Sequence, residues 1–169
     1  EKFYQKTKNL KLSMDVHLDN KTLEKSLEEI NFKGYARMDE IGLPKSDLLK
    51  DVSFKKIITR RKSSRSFTIK QISLNTLSTL LHYSAWLKDN SKNNKRFYPS
   101  GWARYPLELY LIALKTELKK GVYHYYLKSH SLETLYTFES FDFKRYFNQT
   151  WIKKSACLIV LSAVFKRSS

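Results

Sequence analysis

The sequence predicts an α+β domain in which helices pack on a mixed, largely antiparallel sheet. Leucines recur at helical spacing after Ser73, a residue type that favours a helix start, so we expect a helix that reaches about residue 88. Residues 107–114 carry aliphatic side chains on both alternating faces, which is typical of a strand buried on both sides. Residues 122–126 and 132–138 are apolar runs separated by a short turn, and they predict an antiparallel meander.

The remaining segments are assigned by the same spacing rules. We expect a short amphipathic helix over residues 19–30, an irregular arm over 32–43, and a helix that begins after Ser53 and reaches about residue 61. Residues 141–149 are predicted to be helical, and residues 155–165 to form another buried strand. Because the sequence contains no internal repeat, we expect one domain over residues 53–169, preceded by an N-terminal arm and helix over residues 1–52.

Composition limits the classes of protein to which the chain can belong. Its 169 residues are 41% hydrophobic and 14% aromatic, which argues against disorder. A single cysteine, Cys157, excludes an intramolecular disulfide, fits a reducing, cytoplasmic compartment and is expected to be a buried, inert thiol. No apolar run is long enough to span a bilayer. The formal charge of +16 is spread along the chain, so it is weak evidence for nucleic-acid binding.

A basic segment rich in serine follows the predicted helix after Ser53. Arg61, Lys62, Ser63 and Arg65 place three cations and a hydroxyl within five residues. Forked guanidinium groups and short hydroxyl donors are suited to binding a phosphate. Taken alone, such a run is more often a solvated surface or a phosphorylation site.

A loop of small residues precedes the predicted strand at 107–114. It contains Pro99, Ser100, Gly101 and Ala103, and a second proline, Pro106, closes it. Since glycine and alanine present little bulk, a flat ligand could approach the backbone here. The simpler interpretation is a proline-rich connector into a core strand.

Together the two segments resemble those of nitroreductase-like flavoproteins, and more closely those of SagB-type dehydrogenases, which act with thiazole/oxazole-modified peptide synthetases. The resemblance is carried by Arg61, Lys62, Ser63, Arg65 and Phe67, and by Pro99, Ser100, Gly101, Ala103, Tyr105, Pro106, Leu107 and Glu108. It implies that the first set binds the phosphate of FMN and that the second lies against the flavin ring. Trp102 and Arg104 depart from the family pattern, which has a small residue and a leucine there.

The resemblance also implies an activity and partners. It implies an FMN-dependent dehydrogenase that oxidises thiazoline or oxazoline rings of a ribosomal peptide, acting as a homodimer beside a cyclodehydratase. The family's Lys-Tyr pair and a further phosphate-binding arginine fall after the last strand, so the chain is expected to be truncated and its catalytic residues to lie beyond Ser169. We also expect Trp102 either to stack near the flavin or substrate entrance or to face the dimer interface.

Two other functions stay open at this point. One is a reductase of small quinones or nitroaromatics, and the other is a nucleic-acid-binding module that uses Arg61, Lys62 and Arg65 as phosphate contacts. The four histidines have no cysteine or carboxylate at metal-ligand spacing, so no metal site is predicted. These histidines are His17, His82, His124 and His130.

Overall fold

The computed structural model describes residues 31–46, 51–88 and 95–167. These residues belong to one compact unit, Asn31–Ser169. The helix expected over residues 19–30 lies outside the described residues. In the part of the chain that is described, no helix is long and apolar enough to cross a membrane.

Five antiparallel strands form the sheet, and its order is β1-β4-β3-β2-β5. The strands are β1 (Glu40–Gly42), β2 (Leu107–Ala113), β3 (Gly121–Tyr126), β4 (Ser131–Thr137) and β5 (Cys157–Ala163). A separate parallel bridge joins Ile72 to Thr116. The predicted fold class, the strand at 107–114 and the meander that follows it are therefore confirmed.

The described residues also form three α-helices and three 3-10 turns. The helices are α1 (Phe54–Arg60), α2 (Leu74–Ala85) and α3 (Phe143–Tyr146), and the 3-10 turns are Gly101–Ala103, Thr150–Lys154 and Phe165–Arg167. Ser53 and Ser73 cap α1 and α2 as predicted, each accepting a hydrogen bond from the backbone N–H three residues later. The helix predicted over residues 141–149 shortens to the four residues of α3.

One face of the sheet packs against α2 and forms the hydrophobic core. Leu77 and Leu81 of α2 are completely buried, as are Leu111 of β2, Tyr125 of β3 and Leu132 of β4. Each fully buried leucine side chain contributes about 1.5–3 kcal/mol to stability. The leucine stripe therefore has the core role expected of it, apart from Leu80, which is 44% exposed.

Two segments differ from the sequence-based expectation. The arm over residues 32–43 is not wholly irregular, because Glu40–Gly42 pairs with β4 as an edge strand. The last strand forms as predicted but is not buried: Ile159, Val160 and Leu161 of β5 are 40%, 42% and 59% exposed. Among the described strands β5 pairs with β2 alone and is an edge strand. Its apolar side chains are therefore not covered on both sides, although the sequence pattern had predicted that they would be. Cys157, at the start of β5, is half-buried, and burial raises the pKa of its thiol.

Candidate functional site

The basic segment that follows α1 is exposed and has no regular secondary structure. Arg61, which caps α1, has extended backbone angles of φ −62° and ψ 120°. All residues from 61 to 70 are exposed, so the side chains of Arg61, Lys62, Ser63 and Arg65 are accessible to a ligand. The segment thus offers three cations and a hydroxyl that solvent can reach.

A ring contact holds the end of this segment. Phe67 stacks on Trp151 of the 3-10 turn Thr150–Lys154, with ring centroids 5.9 Å apart and planes inclined by 28°. Offset stacking of this kind contributes about 0.5–1.5 kcal/mol beyond the area it buries. The aromatic residue that follows the basic run therefore anchors it to the body of the domain.

The small-residue loop has an unusual backbone, and we refer to residues 100–105 as the Ser100 loop. Trp102, Ala103 and Tyr105 have φ angles of 55°, 53° and 42°. Glycine adopts such left-handed angles without strain, whereas each other residue pays about 1–3 kcal/mol. The hydroxyl of Ser100 accepts a hydrogen bond from the Tyr105 N–H at 2.9 Å and closes the loop on itself.

The outer side of the Ser100 loop is open. An open pocket with a volume of about 380 Å³ is lined by Ser100, Gly101, Trp102, Arg104 and Pro106. A Cβ atom placed on Gly101 would meet nothing within 4 Å, so the backbone is uncovered there. Trp102 is 92% exposed. The backbone at Gly101 is therefore accessible to a planar group, while the binding of a flat ligand there stays a prediction.

The inner side of the loop is fixed by Arg167, from the 3-10 turn that follows β5. Its guanidinium donates to the Tyr105 carbonyl at 3.1 Å and forms a short ion pair with the carboxylate of Glu108. The next carbonyl along the chain, that of Pro106, accepts a hydrogen bond from the Val164 N–H at 2.8 Å. Arg167 is 5% exposed and Glu108 4% exposed, so this ion pair is shielded from solvent.

Glu108 begins a buried charged cluster that the sequence analysis missed. On the sheet face opposite α2, Nε2 of His124 lies 3.0 Å from Glu108 and Nδ1 lies 2.7 Å from Glu133. Glu133 also accepts a hydrogen bond from the Tyr35 N–H at 2.7 Å. His124 is fully buried, and Glu133 is 4% exposed. We call Glu108, His124, Glu133 and Arg167 the charged cluster.

Both ring nitrogens of His124 face carboxylate oxygens. A ring nitrogen donates only when it carries a hydrogen. Both nitrogens carry one only in the imidazolium form, which is the form that donates to both carboxylates. Glu108 also pairs with Arg167, and Glu133 also accepts from the Tyr35 N–H, so each carboxylate has a second donor beside His124. The charged cluster then holds two positive and two negative charges, which is how buried charges are tolerated.

The sequence did contain a signal for part of this cluster. A four-residue turn at residues 127–130 pairs residue 124 with residue 133, and the structure has that register. Strand alternation also places Glu108 and Tyr110 on one face of β2, where Tyr110 lies opposite His124. The contribution of Arg167 could not be found this way, because it depends on how the chain turns after β5.

Comparison with known proteins now identifies the fold's relatives. The sequence profile of the nitroreductase family matches residues 58–168, about two thirds of the chain. The chain belongs to the nitroreductase family. No curated protein matches it.

Three solved structures show how the nitroreductase domain compares. A candidate nitroreductase from Anabaena variabilis is 23% identical over 89% of this chain and 30% of its own length, with a TM-score of 0.53, and it supports the fold. A candidate nitroreductase from Ralstonia eutropha is 28% identical over 56% of this chain and 42% of its own, with a TM-score of 0.49. The E. coli microcin synthetase McbBCD complex, with truncated pro-MccB17 bound, contains a chain that is 24% identical over 89% of this one and 57% of its own, also with a TM-score of 0.49. The chain thus spans less than two thirds of the length of each.

A second polar group lies beside the charged cluster in this nitroreductase domain. The ammonium of Lys33 donates to the Tyr110 hydroxyl at 2.7 Å, and the Tyr35 and Tyr110 hydroxyls are 3.0 Å apart. Partial burial opposes the charge on Lys33, yet the hydrogen bonds to both tyrosines raise its pKa to about 12. Burial also raises the pKa of Tyr110. Lys33 therefore keeps its positive charge at neutral pH.

The charged cluster is not arranged as a metal site. Its two carboxylates lie at opposite nitrogens of the His124 ring, so they do not converge on one point. Among residues 31–46, 51–88 and 95–167, no group of three His, Cys, Asp or Glu side chains could hold a metal ion.

Proposed function

We propose that this chain is part of an FMN-dependent dehydrogenase that oxidises thiazoline or oxazoline rings of a ribosomal peptide to azoles. One observation carries the proposal: an exposed run of cations and hydroxyls occurs in the same domain as a loop whose backbone is open at Gly101. These two features match the two parts of FMN, an anionic phosphate and a flat ring. The finer activity, azoline oxidation, is supported by the sequence resemblance to SagB-type dehydrogenases.

The phosphate would be held by Arg61, Ser63 and Arg65, with Lys62 adding charge. All four are exposed and lie within five consecutive residues. Arginine forks and a serine hydroxyl donate to phosphate oxygens, and each charge-assisted hydrogen bond contributes about 1.5–3 kcal/mol. Because these residues are close in sequence and exposed, their side chains are available to one phosphate group.

The ring would lie against Pro99, Ser100, Gly101 and Ala103. The left-handed backbone at Trp102 and Ala103 keeps the loop compact, and Gly101 has no side chain to block the approach. When bound, FMN supplies two-electron redox chemistry to such a site. The chain's own part is to bind the ring, orient it and limit the access of water.

The proposed assembly is a cytoplasmic homodimer with FMN at the interface. The basic segment of one subunit would face the Ser100 loop of the other. The phosphate and the ring of one FMN would then be bound by different subunits, so the two segments do not have to be adjacent within one chain. The exposed apolar residues of α1 would then be covered, since Phe54, Ile57 and Ile58 are 78%, 53% and 52% exposed in the single chain. A peptide substrate and a cyclodehydratase complete the proposal.

Flavin binding by the Arg65→Ala variant tests the phosphate site. Loss of one charge-assisted contact should raise the Kd for FMN by about tenfold or more. Arg145→Ala removes another exposed arginine, outside the site, and serves as the matched control. Riboflavin, which lacks the phosphate, should bind both variants equally. An unchanged Kd for FMN in Arg65→Ala would overturn the assignment.

A reductase of small quinones or nitroaromatics is the second candidate, because the nitroreductase family match is consistent with it as well. Turnover of a nitroaromatic with reduced nicotinamide, compared with oxidation of a peptide azoline, separates the two activities. Lack of FMN binding together with a steep salt-dependent affinity for oligonucleotides would instead favour a nucleic-acid-binding module.

A further inference from the structure

We infer that the charged cluster is a positioning device that fixes the Ser100 loop for flavin binding. Its role toward flavin depends on the proposed function, but its action on the loop can be measured without flavin. Arg167 is the positioning residue that touches the loop, and Glu108, His124 and Glu133 hold Arg167 from behind.

The contacts run in one direction from the loop into the sheet. Arg167 donates to the Tyr105 carbonyl and pairs with Glu108, Glu108 faces His124, and His124 faces Glu133. These groups come from the turn after β5 and from β2, β3 and β4. The chain of contacts therefore links the last residue of the Ser100 loop to three neighbouring strands.

The loop needs such an anchor because its backbone is strained. Three of its six residues have left-handed φ angles without being glycine. Strained backbone persists only where its surroundings determine it. Within the loop, the Tyr105 N–H bonds the Ser100 hydroxyl, and the contact from Arg167 holds the carbonyl of the same Tyr105.

The geometry separates the anchor from the ligand side. Arg167 and Glu108 are 5% and 4% exposed, whereas Gly101 and Trp102 on the outer side of the loop are open. Arg167 reaches the loop from beneath, through a main-chain carbonyl. A change there would alter the backbone against which the flavin ring is proposed to lie, without substituting any residue on the ligand side.

Arg167→Met tests this inference, because methionine keeps an unbranched side chain and removes the guanidinium. Amide exchange at Ala103 and Tyr105, measured on flavin-free protein, should accelerate at least tenfold relative to the buried strand residue Tyr123. The Kd for FMN should rise by about tenfold. Glu108→Gln is the second variant, and it should loosen the same two amides by withdrawing the charge that holds Arg167.

Tyr125→Phe is the matched control. Tyr125 is fully buried on the opposite face of the sheet, where its hydroxyl bonds His130. This variant should accelerate exchange at amides that open only on global unfolding, such as that of Tyr123, and should not accelerate the Ala103 and Tyr105 amides relative to it. It separates a local effect on the Ser100 loop from a general loss of stability.

The outcomes distinguish the positioning role from the proposed function. Loosened loop amides in a protein that binds no FMN even unmutated would support the positioning role and reject the flavin proposal. The positioning role would be overturned if Arg167→Met accelerated exchange at Ala103 and Tyr105, relative to Tyr123, no more than Tyr125→Phe does. Failure of both Arg167→Met and Glu108→Gln to fold would also overturn it, since the cluster would then support the whole domain and not the loop.

Discussion

The rings of two buried histidines lie on opposite sides of the same sheet, and their hydrogen-bond partners differ in charge. His124 has a carboxylate at each ring nitrogen, at 3.0 and 2.7 Å. His130, in the turn between β3 and β4, has a hydroxyl at each: Ser78 at 2.8 Å and Tyr125 at 2.7 Å. The residue type is the same, but the neighbours determine how many hydrogens the ring must carry.

The bonding around His130 fixes a neutral ring. The hydroxyl of Ser78 donates to the Pro44 carbonyl, so it accepts from Nε2–H of His130. The other ring nitrogen then accepts from the Tyr125 hydroxyl. Burial, with a smaller contribution from the neighbouring His82, lowers the pKa of His130 below its ordinary value. This arrangement resembles a Ser-His pair, but Ser78 donates away from the histidine and is therefore not activated as a nucleophile.

The difference shows where charge is used in this fold. The neutral His130 group ties α2 to the turn after β3 inside the hydrophobic core. The charged cluster lies on the other face and leads to the Ser100 loop through Arg167. Buried charge is expensive, and here it occurs next to the loop to which we assign ligand binding.

His124→Leu should have the largest effect. It removes both His124 donors and leaves each of the two buried carboxylates with one partner fewer, which costs about 3–5 kcal/mol of the free energy of unfolding. Urea denaturation followed by circular dichroism measures the loss. The triple variant that adds Glu108→Gln and Glu133→Gln should recover part of it. A loss below about 1 kcal/mol for His124→Leu would contradict the charged form of the cluster.

Tyr125→Phe should have a smaller effect, because the group it breaks is neutral. The change removes one hydroxyl and leaves Nδ1 of His130 buried without its donor, at a cost of about 1–3 kcal/mol. The same denaturation measurement applies. A loss in the free energy of unfolding as large as that of His124→Leu would contradict the distinction between a charged group on one face and a neutral group on the other.

Acid should weaken the His130 face. The folded-state pKa values of His82 and His130 lie below the ordinary value of 6.5, so the unfolded chain binds more protons under mildly acidic conditions. The stability that depends on these neutral rings is complete above pH 6.5 and is lost as the pH falls below it. Unfolding free energies at a series of pH values measure this slope.

His82→Phe is the control for that titration. It keeps a ring against Trp86 and Phe97 but cannot take up a proton. Its pH slope should be shallower than that of the unmutated protein. Equal slopes would show that the acid sensitivity comes from other groups.

Lys33→Met should have the smallest effect. Lys33 lies at the partly exposed margin of the charged face, where its ammonium donates to Tyr110. Solvent screening keeps the contribution of such a contact to about 0–1 kcal/mol. A larger loss would extend the charged cluster to include Lys33 and Tyr110.

The sequence predicted the elements better than it predicted the site. Ser53 and Ser73 predicted the starts of their helices because capping is a local interaction. The alternation of side chains in residues 107–138 predicted three strands. The charged cluster was missed because its members are 9 to 59 residues apart and meet only through strand register and the turn after β5.

Exposure was the hardest property to predict. An apolar run such as β5 indicates a buried strand, but burial depends on what packs beside it, and Leu161 is 59% exposed. The strain in the Ser100 loop was likewise unpredictable, since Trp102 and Tyr105 are residues for which a left-handed backbone is uncommon. The predicted phosphate and ring contacts at residues 61–65 and 99–103 remain predictions until flavin binding is measured.

The ring nitrogens of the two histidines can be observed directly by ¹⁵N NMR of the purified protein at neutral pH. The account predicts that His124 carries hydrogens on both nitrogens, while His130 carries one on Nε2 and none on Nδ1. Assignment follows from the loss of each signal set in His124→Gln and His130→Gln. A bare ring nitrogen on His124, or two hydrogens on His130, would contradict the charged and neutral assignments on which the comparison rests.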